Sequence, residues 1–302
     1  MQITPYYKFS LKVDNSFQRF LTRGIRPYLP EKACSYGQID STEMKLQNKT
    51  AFITGATKGL GRAIALAFAK EGAHIAGTGR NEEELASLKT EVEGLGVRCA
   101  TVRADLSKSG EVHRVWDVLV GELGDIHILL NNAGIGSSSN PRPVECYNDA
   151  FWEMLLYVNL TVPYLLCKKA LPGMMERRHG RIIQISSISG KVGAFHGAAY
   201  SASKHGLLGL SRSLAVEVAA KGITVNAICP GPVKTLINDR RVAYDAQRLG
   251  KDLKEVERTS TPLGRRLVVA EVAPLAVYLA SEDSAAMTGQ ALNIDGGILM
   301  TG

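Results

Sequence analysis

The sequence predicts an α/β fold, a doubly wound parallel sheet of about seven strands in a single domain, with a helical flap beside it. Two observations predict it. From Lys49 onward, short apolar segments alternate with segments of helical period, and the first apolar segment runs through a glycine-rich turn straight into a helix. Such alternation requires crossover connections, so neighbouring strands run parallel and helices cover both sheet faces.

In chain order, residues 50–54 (Thr-Ala-Phe-Ile-Thr) form the first strand, and the alanine-rich residues 62–70 form the first helix. Residues 73–77 are the second strand. Residues 82–92 carry Leu85, Leu88 and Val92 on one face behind three leading glutamates, which predicts a charged amphipathic helix. The third strand spans 97–103, a helix 110–123 and the fourth strand 126–130. The pattern then repeats, with a long helix over 148–177, a strand over 181–185 and a helix that carries Tyr200 and runs to about residue 220. Leu207, Leu208, Leu210, Leu214 and Val218 give that helix its apolar face. Residues 223–228 form the sixth strand, 270–279 a helix and 291–294 the seventh strand.

Residues 1–43 do not share this organisation. They contain Pro5, Pro27 and Pro30 without a repeating apolar pattern and read as an N-terminal extension, disordered or loosely docked, ahead of a catalytic domain over 44–302. Met44-Lys45-Leu46 resembles a natural beginning. A basic, acid-poor start without a continuous apolar core argues against a secretory signal. The expected location is the cytoplasm, with an organelle matrix as the alternative should the extension be a transit peptide.

Composition excludes several classes. The net charge of +7 is scattered among acids rather than gathered into a tract, so no nucleic-acid partner is expected. The apolar run 154–167 is too short for a membrane span and contains Asn159 and Pro163, so it reads as buried helix. Cys34, Cys99, Cys146, Cys167 and Cys229 are odd in number and far apart, which suggests neither a disulfide framework nor a metal site.

The turn Thr54-Gly55-Ala56-Thr57-Lys58-Gly59-Leu60-Gly61 lies between the first strand and first helix. Glycines there let backbone approach a pyrophosphate, and the helix N-terminus points at it, so a dinucleotide is the expected ligand. Gly55, Thr57, Lys58, Gly59, Leu60 and Gly61 are the cofactor-binding candidates of this turn. The second strand is followed by Arg80 and lacks the carboxylate that would reject a 2′-phosphate. Arg80 and Lys58 together favour NADP(H), with NAD(H) as the alternative and a solvated loop arginine as the plainer reading. Asp105 is placed either to contact the adenine amine or to cap the next helix.

Tyr200 and Lys204 stand four apart on one helical face, so the ammonium would favour the phenolate and bring Tyr200 into acid–base range. Ser187 stands thirteen positions earlier, at the end of the fifth strand. Its plainer role is a strand-end cap. Asn159 sits among Leu155, Leu156, Leu160 and Val162, where an amide is costly to bury unless its hydrogen bonds are made, for instance to backbone.

Together, residues 54–61, Asn131-Asn132-Ala133-Gly134, Ser187 with Tyr200-x-x-x-Lys204, and Pro230-Gly231-Pro232-Val233-Lys234-Thr235 resemble the short-chain dehydrogenase/reductase family, from about Lys45 to the end. The resemblance implies a Rossmann fold and a catalytic tetrad of Asn159, Ser187, Tyr200 and Lys204. It implies that Tyr200 exchanges a proton with a carbonyl or alcohol oxygen, Ser187 positions that oxygen, Lys204 also holds the nicotinamide ribose, and Asn159 carries a water that relays protons. Asn132, Ala133, Gly134, Tyr200, Lys204, Pro230, Gly231, Val233 and Thr235 are further cofactor contacts, with Thr235 on the carboxamide. The nearest branch contains 3-oxoacyl carrier-protein reductases and sugar or polyol dehydrogenases. That implies an NADP(H)-dependent oxidoreductase interconverting a secondary alcohol and a ketone, with an NAD-dependent sugar dehydrogenase as the alternative and a non-enzymatic nucleotide sensor a distant third. A homotetramer packed through the 148 and Tyr200 helices is also implied.

Residues 234–262 are dense in both charges around a stripe of Leu236, Ile237, Val242, Leu249, Leu253 and Val256, which predicts a helical flap over a small-molecule substrate. Gly136, Ser137, Ser138, Gly193, Phe195 and His196 would line the pocket. Arg240 and Arg241 could meet a carboxylate or phosphate, with a solvated face as the plainer reading. Arg178 and Lys221 stand where the resemblance puts the entrance basics of the acyl-carrier branch, in a segment equally at home across the family.

Overall fold

The computed structural model describes residues 44–300, so the expected extension over 1–43, with Cys34, lies outside the described residues. Seven strands form one sheet: β1 (Thr50–Thr54), β2 (His74–Gly79), β3 (Cys99–Arg103), β4 (Ile128–Asn131), β5 (Gly180–Ile185), β6 (Ile223–Pro230) and β7 (Ala291–Ile294). Their order is β3-β2-β1-β4-β5-β6-β7, and every pairing is parallel. This is the expected Rossmann-like sheet.

Burial on both sides explains why the strands read as near-continuous apolar runs. Ala51 and Ile53 face a layer built from α1 (Gly59–Lys70), α2 (Glu82–Glu93) and α9 (Val269–Ala280), through Ile64, Phe68, Leu88, Val272 and Leu279. Phe52, between them, faces the opposite layer, and its register partners Ala76 and Leu129 lie in the same cluster. That second layer holds α3 (Glu111–Leu123), α5 (Val162–Glu176) and α6 (Ala198–Val218), through Val115, Leu119, Leu166, Met174 and Leu214.

The order of strands reverses between β1 and β4. Crossovers on the two sides diverge there, which opens a crevice at the carboxyl ends of the strands. Lys58, Ser187 and Thr235 all follow those ends, so the sheet itself gathers the candidate residues.

Several boundaries differ from those predicted. β2 extends to Gly79, which places Arg80 at the strand tip, and β4 begins at Ile128 because His127 closes the preceding turn onto Thr50. The helix predicted over 148–177 is not uniform. It runs as α4 (Asp149–Leu156), widens into a π-turn over Tyr157–Thr161 and resumes as α5. Pro163 accounts for this, because it has no N–H to offer the Asn159 carbonyl four residues back and its ring crowds that carbonyl. The stretch Asp149–Glu176 is long and apolar enough to cross a bilayer by length and composition, yet Val162, Leu166, Ala170 and Met174 pack into the core. The predicted flap is a pair of helices, α7 (Leu236–Leu249) and α8 (Leu253–Arg258).

One glycine shows how tightly the turn after β1 is built. A Cβ on Gly61 would collide with the Gly55 carbonyl and the Asn132 amide. Gly61→Ala is therefore expected to destabilise the protein by about 1–3 kcal/mol. Chemical denaturation of the variant beside the parent chain checks this.

Candidate active site

The turn after β1 is held from two sides. Thr54 Oγ1 accepts from the amides of Asn132 and Ala133 at 2.9 and 3.0 Å. In return, the Asn132 side chain donates to the carbonyls of Thr54 and Gly55 at 2.9 and 3.1 Å. On the other side, the Ala56 amide donates to the Thr78 carbonyl at 3.0 Å. Gly55 takes φ of 64°, a left-handed conformation that glycine adopts without strain. Helix α1 starts with no side-chain cap and no acid in its first turn. Its leading amides and positive dipole end thus face the crevice, the arrangement an anionic pyrophosphate needs. Thr235 comes from the far side of the crevice, with its Cγ2 3.5 Å from where a Gly59 Cβ would stand.

These residues fit a dinucleotide, and the chemistry of the β2 tip bears on which one. Arg80 is exposed, and its side chain makes no hydrogen bond among the described residues; only its carbonyl is used, by Arg103 at 3.2 Å. Lys58 differs from the expectation of a free cation. Its Nζ lies 3.0 Å from Glu84 Oε1, because Glu84 stands on the first turn of α2 facing the glycine turn. Asp105 is not a helix cap: Gly110 holds that position before α3. Asp105 Oδ1 instead accepts from the Ser107 hydroxyl and amide at 2.8 and 3.1 Å. Ser107 chiefly, with Arg80 adding, holds its carboxyl below the usual carboxylate range, with burial opposing.

At the other end, Ser187 terminates β5 in an extended conformation, and its Oγ accepts from the Ser189 amide at 3.1 Å. It caps a 3-10 turn while remaining beside the Tyr200 phenol. Lys204 is buried, with Nζ donating to the Ile185 carbonyl at 2.7 Å and lying 5.8 Å from the Tyr200 ring centre. Burial pushes the Lys204 ammonium down to about 8. The Tyr200 phenol goes the other way: burial raises it, with the Ser187 hydroxyl pulling down less strongly. The expected net lowering of Tyr200 is therefore not seen in the chain alone, because burial of the phenol outweighs the hydrogen bond from Ser187.

Asn159 lies in the π-turn, almost fully buried. Its Oδ1 accepts from the Ile135 amide at 2.8 Å, and its Nδ2 donates to the Ile135 carbonyl at 3.0 Å and to Ser203 Oγ at 3.1 Å. Both amide protons are used, one by the Ile135 carbonyl and one by the Ser203 hydroxyl. It fixes the loop that carries Gly134, where a Cβ would stand 3.2 Å from Asn159 Oδ1 and 3.8 Å from Lys204 Nζ. Ser203 was missed in the sequence. It is fully buried, takes the Asn159 bond and donates to the Tyr200 carbonyl at 2.7 Å. The signal was a serine three residues beyond Tyr200, on the helix side turned from solvent.

Thr235 caps α7, accepting from the Asn238 amide at 3.4 Å. Pro230 ends β6, the Gly231 amide donates to the Ile294 carbonyl at 2.9 Å, and Val233 is buried beside Leu267. This segment forms the wall between the glycine turn and the flap.

Phe195 and His196 are engaged by the flap rather than simply lining a pocket. Tyr244 hydrogen-bonds His196 Nδ1, Arg248 stands 4.3 Å from the Phe195 ring centre, and Arg241 donates to the Phe195 carbonyl at 3.0 Å. Arg241 also pairs with Asp245 through Nε and Nη2, so it is not a solvated face. Ser138 Oγ donates to the Ile237 carbonyl at 2.9 Å and ties the flap to the loop after β4. Arg178 and Lys221 lie just before β5 and β6, at the amino ends of the strands. They cannot border an entrance at the carboxyl ends.

A family model described as enoyl-(acyl carrier protein) reductase matches residues 55–299. A D-beta-hydroxybutyrate dehydrogenase of Cupriavidus necator is 35% identical over 256 residues, covering 83% of this chain and 98% of the relative. The 3-oxoacyl-[acyl-carrier-protein] reductase of Escherichia coli (strain K12) is 36% identical over 257 residues, covering 85% and 100%. Among solved structures, an actinorhodin polyketide ketoreductase variant with NADPH superposes with a TM-score of 0.78 at 35% identity, covering 83% of this chain and 97% of its own. An NAD+-bound xylitol dehydrogenase gives 0.78 at 30%, covering 84% and 100%. With the fold, the glycine turn and the Ser187, Tyr200 and Lys204 cluster on one crevice, the chain belongs to the short-chain dehydrogenase/reductase family of oxidoreductases.

Proposed function

We propose that this enzyme interconverts a ketone and a secondary alcohol with NADP(H), reducing 3-oxoacyl or similar carbonyl compounds. The observation that carries the reading is the buried Lys204 beside Tyr200 and Ser187 at the carboxyl edge of β5, across the crevice from an uncapped helix start. The 3-oxoacyl reductase and ketoreductase relatives support the substrate class. Arg80 at the β2 tip, whose side chain has no hydrogen-bond partner among the described residues, supports the 2′-phosphate.

The nicotinamide, when bound, supplies a hydride to the carbonyl carbon in reduction and accepts it in oxidation. Tyr200 donates its phenolic proton to the carbonyl oxygen as negative charge develops there, and takes it back in the oxidative direction. Ser187 donates a hydrogen bond to the same oxygen and holds it in line with the phenol. Lys204 stabilises the phenolate that Tyr200 becomes, and the Ile185 carbonyl fixes the ammonium for that purpose. Asn159 and Ser203 act one step back, as positioning residues for the Gly134 loop and the Tyr200 backbone. The flap excludes water when it lies over the crevice.

A second reading has its own support. The Lys58–Glu84 pair withdraws one cation from the 2′-phosphate site, and the xylitol dehydrogenase neighbour is NAD+-bound, which together favour an NAD-dependent sugar or polyol dehydrogenase. We also propose a homotetramer through α4–α5 and α6, on which Met154, Tyr164 and Val216 stand exposed, Val216 at 85%.

Titrating NADPH and NADH by fluorescence and screening a carbonyl panel with the tighter one tests the reading. NADPH preference with reduction of 3-oxoacyl compounds supports it, and Arg80→Asp is then expected to weaken NADPH relative to NADH by at least about tenfold. NADH preference with oxidation of polyols supports the second reading instead.

Lys204 also makes stability depend on pH. Its ammonium titrates at 10.5 in the unfolded chain and about 8 when folded, so between those values the unfolded state binds more protons and this group's contribution to stability rises with pH. Below about 8 both states carry the charge and the folded protein bears its desolvation in full. Lys204→Met is expected to abolish turnover yet melt higher than the parent below pH 8, with the gap narrowing as pH rises toward 10.5. Melting curves across that range check the sign.

A further inference from the structure

The cations near the β2 tip are not equivalent. Arg62 is fully committed: its guanidinium donates to the carbonyls of Thr57 and Glu84 at 3.2 and 3.3 Å, to Ser87 Oγ at 2.8 Å and to Glu91 Oε1 at 2.8 Å. It ties α1 to α2 and has little left to offer a ligand. Arg80 is unpaired. Lys58 lies between these cases, since it caps α1 in the glycine turn while its Nζ reaches Glu84 at 3.0 Å.

Glu84 is not an ordinary solvated glutamate. Asn81 caps α2 by accepting from the Glu84 amide at 2.9 Å, which fixes the residue on the first turn with its side chain toward Thr57 and Lys58. One carboxylate oxygen meets Lys58, while the other, Oε2, is buried and has no hydrogen-bond partner among the described residues. Lys58 is the strongest influence holding the carboxyl ionised, with the Thr57 hydroxyl and Arg62 adding less, so the group leans chiefly on that cation. A phosphate that takes Lys58 would strip Glu84 of that cation and set two anions side by side. A ribose hydroxyl, in contrast, carries no charge and leaves the Lys58–Glu84 pair standing.

We propose that Glu84 is a specificity-determining residue for the cofactor: its carboxylate occupies the Lys58 ammonium in place of a 2′-phosphate, and the Lys58–Glu84 pair thereby sets the ratio of NADP(H) to NAD(H) affinity. The inference rests on the NADP(H) reading above and names the residue that limits that preference. Glu84 holds the enzyme short of full NADP(H) selectivity. Arg80 supplies the standing attraction, and Lys58 supplies a conditional one.

The test measures Kd for NADPH and NADH by cofactor fluorescence with the full chain as parent, Glu84→Gln, Lys58→Gln and the double variant, with melting curves to confirm folding. Glu84→Gln is expected to raise the ratio of the NADH Kd to the NADPH Kd about three- to fivefold. Lys58→Gln is expected to lower it, and Glu84→Gln to add nothing in the Lys58→Gln background. Glu84→Ala, which also removes the charge, should move the ratio the same way if the glutamine variant folds poorly. An unchanged or lowered ratio in the Glu84 variants, or an equal rise without Lys58, overturns the proposal. A parent that prefers NADH and ignores Arg80→Asp overturns the cofactor reading as well, whereas a parent that prefers NADPH with an unmoved Glu84 variant overturns this inference alone.

Discussion

The structure depends on a lysine held out of water. Lys204 is 5% exposed, anchored by one backbone carbonyl at the end of β5, with its ammonium lowered to about 8. A charge in that position is costly, and the surroundings are arranged to keep it there. The tip of β5 supplies the Ile185 carbonyl, Ser186 bonds the Lys204 backbone at 3.3 Å, and the Asn159–Ser203 bond locks α6 against the π-turn. Two of these contacts come from the end of β5 and the third from the crossover between β4 and β5. The fold therefore does more than bring Tyr200 and Lys204 together: it opposes the relaxation that would let the ammonium reach solvent.

The same logic divides the crevice into two ends. At the nucleotide end the chain offers backbone amides, a left-handed glycine and cations at the rim, which suit a charged, extended ligand. At the catalytic end it offers desolvated titratable groups, which suit proton transfer. Between them, the wall from Pro230 to Thr235 leads directly into the flap, whose first helix grips Phe195 and His196 just ahead of Tyr200. The flap and the segment leading into the Tyr200 helix are held together through that grip.

Much of this was legible in the sequence, for identifiable reasons. Strands buried on both faces leave unmistakable apolar runs, and a glycine turn between strand and helix has few other uses, so the sheet and the glycine turn could be placed from residues 50–61 onward. What could not be read was the pairing of side chains across elements. Lys58 looked free because Glu84 is twenty-six residues away in sequence, and Arg241 looked solvated because its partner Phe195 belongs to another loop. Arg178 and Lys221 were assigned to the wrong end although both precede a strand, and in a parallel sheet the loop before a strand borders its amino edge. Pro163 was visible, but its consequence, a π-turn that sets Asn159 against Ile135, depends on the carbonyl four residues back and on what the neighbouring loop offers.

The most direct test of the account is turnover by Tyr200→Phe, measured with NADPH binding on the same preparation. Removing one hydroxyl from a ring that keeps its place should leave the cofactor bound and lower carbonyl reduction on the order of a hundred- to ten-thousand-fold. A phenylalanine variant that binds NADPH and still reduces substrate at close to the parent rate would contradict it.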